Sequence, residues 1–163
     1  AVLTVLPGAV AFAAAMDLFT MTIPNRVSAV MVVAFFPLAA MAGLGPWDMA
    51  QHVAAGMLVL AIGIGLFAAG WFGGGDTKLL AAIALWVGFE NLIPYLVYVA
   101  LAGGMLAVAF STVRSVPLPR VFLGEAWALR LHRPDGGIPY GIALAAGALL
   151  VYPHTFWFSV PAG

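Results

Sequence analysis

The sequence predicts an all-α, polytopic membrane protein with about six transmembrane helices and both termini on the non-cytoplasmic side. Three observations predict it. Of 163 residues, 64% are hydrophobic and only 7% charged, where a soluble domain would carry about a quarter charged. The apolar residues fall into runs of transmembrane length. Threading those runs across a bilayer gathers the basic residues on one side.

The composition excludes several classes. Six Lys and Arg with six Asp and Glu cannot coat a water-facing surface, and the mean hydropathy is +1.11. A soluble globular domain, a disordered chain and a nucleic-acid binder with a basic face are set aside. The net charge is zero, so the placement of charge is informative and its sum is not. Cysteine is absent, which removes disulfides, thiolate metal sites and a cysteine nucleophile. The length suits one membrane-embedded domain over residues 1–163. The chain opens on Ala1 rather than Met, which leaves room for native residues ahead of it.

The first apolar run, about 2–20, has no basic flank before it and no small-residue cleavage site, so it reads as a span and not a removable signal. The second, about 27–45, is uncharged and ends at Gly43, Gly45 and Pro46, with Trp47 and Asp48 in the turn. The third, about 51–71, stops at Trp71-Phe72-Gly73-Gly74-Gly75-Asp76. From Leu79 to Val113 the chain is too long for one ordinary span. Asn91 and Pro94 mark a turn inside it, giving spans of about 77–90 and 93–113. A polar stretch, about 114–136, follows, and the last span is about 137–158.

With six spans, Arg26, Lys78, Arg114, Arg120, Arg130 and Arg133 share one side, and Asp48 and Glu90 take the other. Five spans would scatter the basic residues over both faces, so the positive-inside rule favours six. Trp47, Trp71, Trp86, Tyr95, Tyr152 and Trp157 fall near the span ends, as an aromatic belt would. Gly137-x-x-x-Gly141 suits close helix packing. Between Pro117 and Arg133, apolar Val121, Phe122, Trp127 and Leu131 mix with Arg120 and Arg130. The segment reads either as an interfacial amphipathic helix or as a solvated loop.

An ionisable residue at membrane depth is costly and is a functional candidate by default. Asp17, near the end of the first span, and Asp76, at the start of the fourth, both fall near the cytoplasmic face. Two carboxyls brought together resist ionising at once, so one keeps its proton. The ionised group can then take a proton from water while the protonated one donates to a scissile carbonyl. The plainer reading is two interfacial aspartates that cap helices, with Asp76 as the N-cap before Thr77. Gly73, Gly74 and Gly75 permit unusual φ values and would let an extended peptide approach the backbone. The spacing Gly70-x-x-x-x-Gly75 opens like a phosphate-binding loop, but Asp76 stands where that motif needs Lys and would repel phosphate.

Asp17 with Ile23-Pro24-Asn25, then Gly73-Gly74-Gly75-Asp76-Thr77-Lys78-Leu79-Leu80, then Ile138-Pro139-Tyr140-Gly141, resembles the type IV prepilin peptidases, of the GxGD class of aspartyl membrane proteases. The order, spacing and membrane placement of the three elements match over nearly the whole chain. The resemblance implies that Asp17 and Asp76 are the catalytic pair. It also implies cleavage of the short basic leader of prepilins at the cytoplasmic face of the bacterial inner membrane. Larger family members carry an extra cytoplasmic, cysteine-containing region and also methylate the new pilin N-terminus. This chain is similar to the small peptidase-only form that serves Flp-type (tight adherence) pili.

Gly73, Gly74, Gly75, Lys78 and Tyr140 are the candidate substrate-binding residues. Lys78 could lower an Asp pKa, contact substrate or snorkel to the interface. Tyr140 could line the site or belong to the aromatic belt. His52, His132 and His154 are scattered over both faces and there is no HExxH pair, so no metal is expected. No serine has a paired histidine at its depth. No cofactor is expected. The expected partners are a prepilin within the bilayer and membrane lipids, not nucleic acid. The competing function is a small proton- or ion-coupled transporter using the same aspartates, and a non-catalytic scaffold is a third reading.

Overall fold

A computed structural model describes residues 2–133 and 136–159. Pro134 and Asp135, inside the predicted polar stretch, lie outside the described residues. The elements run α1 (Val2–Thr20), α2 (Asn25–Met41), α3 (Pro46–Ala68), α4 (Gly74–Arg114), α5 (Ala126–His132), α6 (Gly141–Val151) and α7 (Phe156–Ser159). Short 3-10 turns occupy Arg120–Phe122 and Tyr152–His154. No strand occurs among the described residues. Three helices, α1, α3 and α4, are long and apolar enough to cross a membrane, and the apolar stretches Asn25–Met41 and Gly141–His154 are shorter.

Local chemistry sets several boundaries differently from the sequence expectation. Helix α3 begins at Pro46, where a missing N–H costs nothing, so Trp47 and Asp48 lie in its first turn and not in a turn before it. Asp48 there faces the positive end of the helix dipole. Helix α1 ends on Met21, which adopts a left-handed φ of 56° and donates its N–H to the Asp17 carbonyl at 2.8 Å. The last apolar run is helical only from Gly141, and Pro153 sits in the 3-10 turn that closes it.

Helix α4 holds 41 residues. Straight, it would be about 60 Å long, twice the thickness of a bilayer core of about 30 Å. It breaks at Gly88, whose φ of 71° and ψ of 174° belong to a region open essentially to glycine alone. The predicted turn at Asn91 and Pro94 is therefore corrected: both lie inside the helix beyond the break. Asn and Pro are the usual punctuation, but the residue that must bear a forbidden φ is the one that turns the chain.

Contacts show that the two parts of α4 double back. On α3, His52 packs against Gly88, Gly56 against Ala81 and Leu85, and Gly63 against Thr77, so α3 is antiparallel to the first part. Beyond the break, Val99 and Tyr95 pack on Gly147, and Gly103 meets Tyr140. Tyr140 adjoins Gly141, which bonds Asp17 and packs on Ile23, and Ile23 packs on Gly75 at the opening end of α4. Gly103 has thus returned to the level of Asp76.

The first part of α4 is the hub. Residues 79–88 are buried on every face, as an all-round apolar helix requires. Helices α2 and α3 lie on it, and α6 packs between α1 and the rest of α4. Trp86, Tyr95, Tyr152 and Trp157 are buried in this core, which corrects their assignment to an interfacial belt. Trp157 donates its indole N–H to the Trp86 carbonyl at 2.7 Å, and Trp86 donates to the Met31 carbonyl at 3.0 Å. Both indole donors are satisfied internally, so these two tryptophans can leave the interface. Trp47 and Trp71 remain exposed, at 74% and 81%.

Candidate active site

Asp17 stands on the last turn of α1 and is 6% exposed. Its Oδ2 accepts the backbone N–H of Gly141 at 2.7 Å. Gly141 opens α6, and no side chain of its own segment caps that helix. The first N–H groups of a helix lack intrahelical partners and carry the positive end of its dipole. Asp17 therefore supplies from α1 what a capping side chain would supply locally.

The approach is close. A Cβ on Gly141 would stand 2.9 Å from Asp17 Oδ2, 3.0 Å from its Cβ and 3.2 Å from Ile23 Cδ1. Gly141 is thus glycine because the acid occupies its side-chain space. This replaces the helix-packing role assigned through Gly137-x-x-x-Gly141, since Gly137 lies outside the helix, against Met21.

Asp76 is half-buried and follows Gly75, which packs on Ile23 beside the Gly141 that bonds Asp17. The chain separates them by 59 positions, and the fold brings them to one end of the molecule. Asp76 is not the N-cap of α4. Gly73 is the cap and Asp76 the third helical residue. The next residue, Thr77, anchors this turn: its hydroxyl donates to the Gly73 carbonyl at 3.0 Å and to the Gly63 carbonyl of α3 at 3.4 Å.

The three glycines take ordinary backbone angles. Gly73 has φ −74° and Gly74 and Gly75 are helical, while the positive φ of this loop falls on Gly70. Their missing side chains leave space that the protein itself uses. A Cβ on Gly73 would meet Asp76 Oδ2 at 2.5 Å, one on Gly75 would meet Ile23 Cβ at 3.2 Å, and one on Gly74 would touch the Phe67 ring at 3.4 Å. Two of the three therefore seat the acid and its turn. Ile23 touches both Gly75 and Gly141, so the three sequence motifs meet on one side chain.

Lys78 turns toward α2. Its Nζ donates to Asn25 Oδ1 at 2.9 Å at the exposed start of α2, which ties the second motif to the first. Tyr140 is partly buried, with its hydroxyl end against Gly103 and its ring edge-on to Phe72 at 5.8 Å. It stands at the opening end of α6, one residue before the Gly141 that bonds Asp17.

The basic segment after α4 folds beneath α1. Trp127 of α5 meets Phe19 edge-on at 5.5 Å, and Arg130 donates to the Phe19 carbonyl at 3.2 Å. Arg114 donates to the carbonyls of Leu131 and Gly137, both at 2.8 Å. No group of three or more His, Asp or Glu able to hold a metal occurs among the described residues.

Gly141, Ile23 and Met21 were not among the site residues expected from sequence. A glycine opening an apolar run directly after Pro139-Tyr140 was the available signal for Gly141. Met21 carried none, because a left-handed helix end ordinarily selects glycine or asparagine.

Neither a curated protein nor a solved structure matches the chain. A family model described as the type IV leader peptidase family matches residues 4–108. That range contains both acids with their flanking motifs and ends before Ile138. It covers more than half of the sequence, and the chain belongs to the type IV leader peptidase family.

Proposed function

We propose that the protein is an aspartyl endopeptidase that removes the leader from type IV, Flp-like prepilins at the cytoplasmic face of the bacterial inner membrane. Asp17 and Asp76 are the catalytic pair. The observation that carries this reading is their convergence: Asp17 is buried and held by the Gly141 N–H, and Ile23 packs both on Gly141 and on Gly75 beside Asp76.

In this mechanism one carboxyl is ionised and the other protonated. The ionised group takes a proton from water, whose oxygen bonds to the scissile carbonyl carbon. The protonated group donates to the carbonyl oxygen. Collapse of the tetrahedral intermediate breaks the C–N bond, and the amine leaves with a proton returned from a carboxyl. The doubling back of α4 at Gly88 supports six spans. Arg26, Lys78, Arg114, Arg120 and Arg130 then lie at the end of the molecule that holds the acids, which supports a cytoplasmic site.

The test co-expresses the protein, Asp17→Asn or Asp76→Asn with a prepilin bearing a short basic leader, after checking equal membrane insertion. The parent should cut and both variants should leave the precursor intact. Cutting that survives either replacement removes that aspartate from the mechanism. A parent that cuts no prepilin, while moving protons or ions in vesicles, would establish the transporter reading instead.

A further inference from the structure

A groove of about 550 Å³ runs between α2 and α3, floored by the first part of α4. The two walls pack on α4 and scarcely on each other, so the groove opens sideways. Its floor holds Ala81 and Ala82, and its walls include Ala29, Val33 and Met57. Val33 and Met57 are 70% and 60% exposed. Small residues under bulky apolar walls allow another helix to approach closely within a bilayer. From Asn25 to Phe36 the α2 wall is about 16 Å long.

One end of the groove is polar, and it is the end that holds the acids. Asn25, Ser28 and Lys78 line it, and Lys78 is two residues beyond Asp76. Ser28 is only 7% exposed, and its hydroxyl has no hydrogen-bond partner among the described residues. A buried hydroxyl without a partner is costly, so this one is set for a ligand. An apolar helix starting there would bring N–H groups that lack partners of their own.

We infer that this groove seats the apolar helix of the prepilin, with the helix start at Ser28 and the peptide bond to be cut beside Asp76. This rests on the peptidase reading and adds to it where the substrate lies. A phospholipid chain is the competing occupant. It would fill the apolar walls but has no row of N–H groups to offer Ser28.

Photo-crosslinking tests the inference. A prepilin carrying a photoreactive residue in its apolar segment is reconstituted with the Asp76→Asn protein, irradiated, and the adducts are mapped. Adducts should concentrate on Val33, Met57 and their groove neighbours. Adducts concentrated on the outer face of α4, at Leu101 and Val108, would overturn it. So would groove labelling by a photoactivatable phospholipid that prepilin fails to displace.

In otherwise unaltered enzyme, Ala29→Phe fills the groove with little effect on folding, because position 29 is exposed. It should raise the prepilin KM about tenfold and change kcat far less. An unchanged KM overturns the groove while leaving the peptidase reading intact, whereas a parent enzyme that cuts no prepilin overturns both.

Discussion

The Gly141 N–H donates to Asp17 Oδ2 at 2.7 Å, and no side chain could replace the glycine's hydrogen without moving the acid. Helix α6 is thereby a positioning element for a carboxyl on α1. Gly141→Ala puts a methyl group 2.9 Å from that oxygen. A displacement of about 1 Å can cost about 100-fold in rate. We expect prepilin cleavage to fall by about that factor while the protein still inserts and unfolds cooperatively in detergent. Undiminished cleavage would mean that the site tolerates displacement of Asp17 at this contact.

The three consecutive glycines should respond unequally. Gly73→Ala intrudes on the Asp76 carboxylate and Gly75→Ala on Ile23, whereas Gly74→Ala meets the Phe67 ring at ordinary contact distance. Ala in a helix is favoured over Gly by up to about 1 kcal/mol. Gly74→Ala should therefore retain cleavage and hold or raise the melting temperature, while the other two lose cleavage. Equal sensitivity at all three positions would instead point to substrate backbone lying along the whole loop.

Gly88→Ala should damage the fold itself. Alanine cannot readily adopt φ 71° with ψ 174°, a conformation costing about 1–3 kcal/mol. Its Cβ would also stand 2.8 Å from the His52 ring. The readouts are the yield of monodisperse protein and its melting temperature. Pro94→Ala, inside the helix, should be tolerated or stabilising.

Met21 holds a left-handed conformation that costs a non-glycine residue about 1–2 kcal/mol. Met21→Gly should relieve part of that and raise the melting temperature by a few degrees. The gain should come without loss of cleavage, provided Ile23 stays seated. A lowered melting temperature would show that the Met21 contact with Gly137 outweighs the strain.

The bond from Lys78 to Asn25 is exposed and should contribute less than about 1 kcal/mol. Asn25→Ala and Lys78→Ala, measured singly and together by thermal unfolding, should show a coupling of that size. A coupling several times larger would mark this pair as a structural clamp.

Much of this protein was legible in its sequence, because solvent chooses for such a chain. So few charged residues leave no soluble fold open, and in a bilayer unpaired backbone groups enforce helices. The acids stood out for the same reason: a carboxyl among apolar runs has few innocent explanations. The paired motifs around Asp17 and Asp76 were likewise visible as local strings.

What the sequence left undecided was every matter set by contact between distant segments. Gly88 and Pro94 differ in whether the fold demands a forbidden φ, and a local string does not report that demand. Trp86 and Trp157 look interfacial until each indole finds a carbonyl inside the core. Gly75 and Gly141 look like flexibility or helix packing until Ile23 and Asp17 fill the space beside them. Hydropathy is a one-dimensional property and can be read along the chain. The fit of a carboxylate against the end of a helix 124 positions away exists only once both are folded.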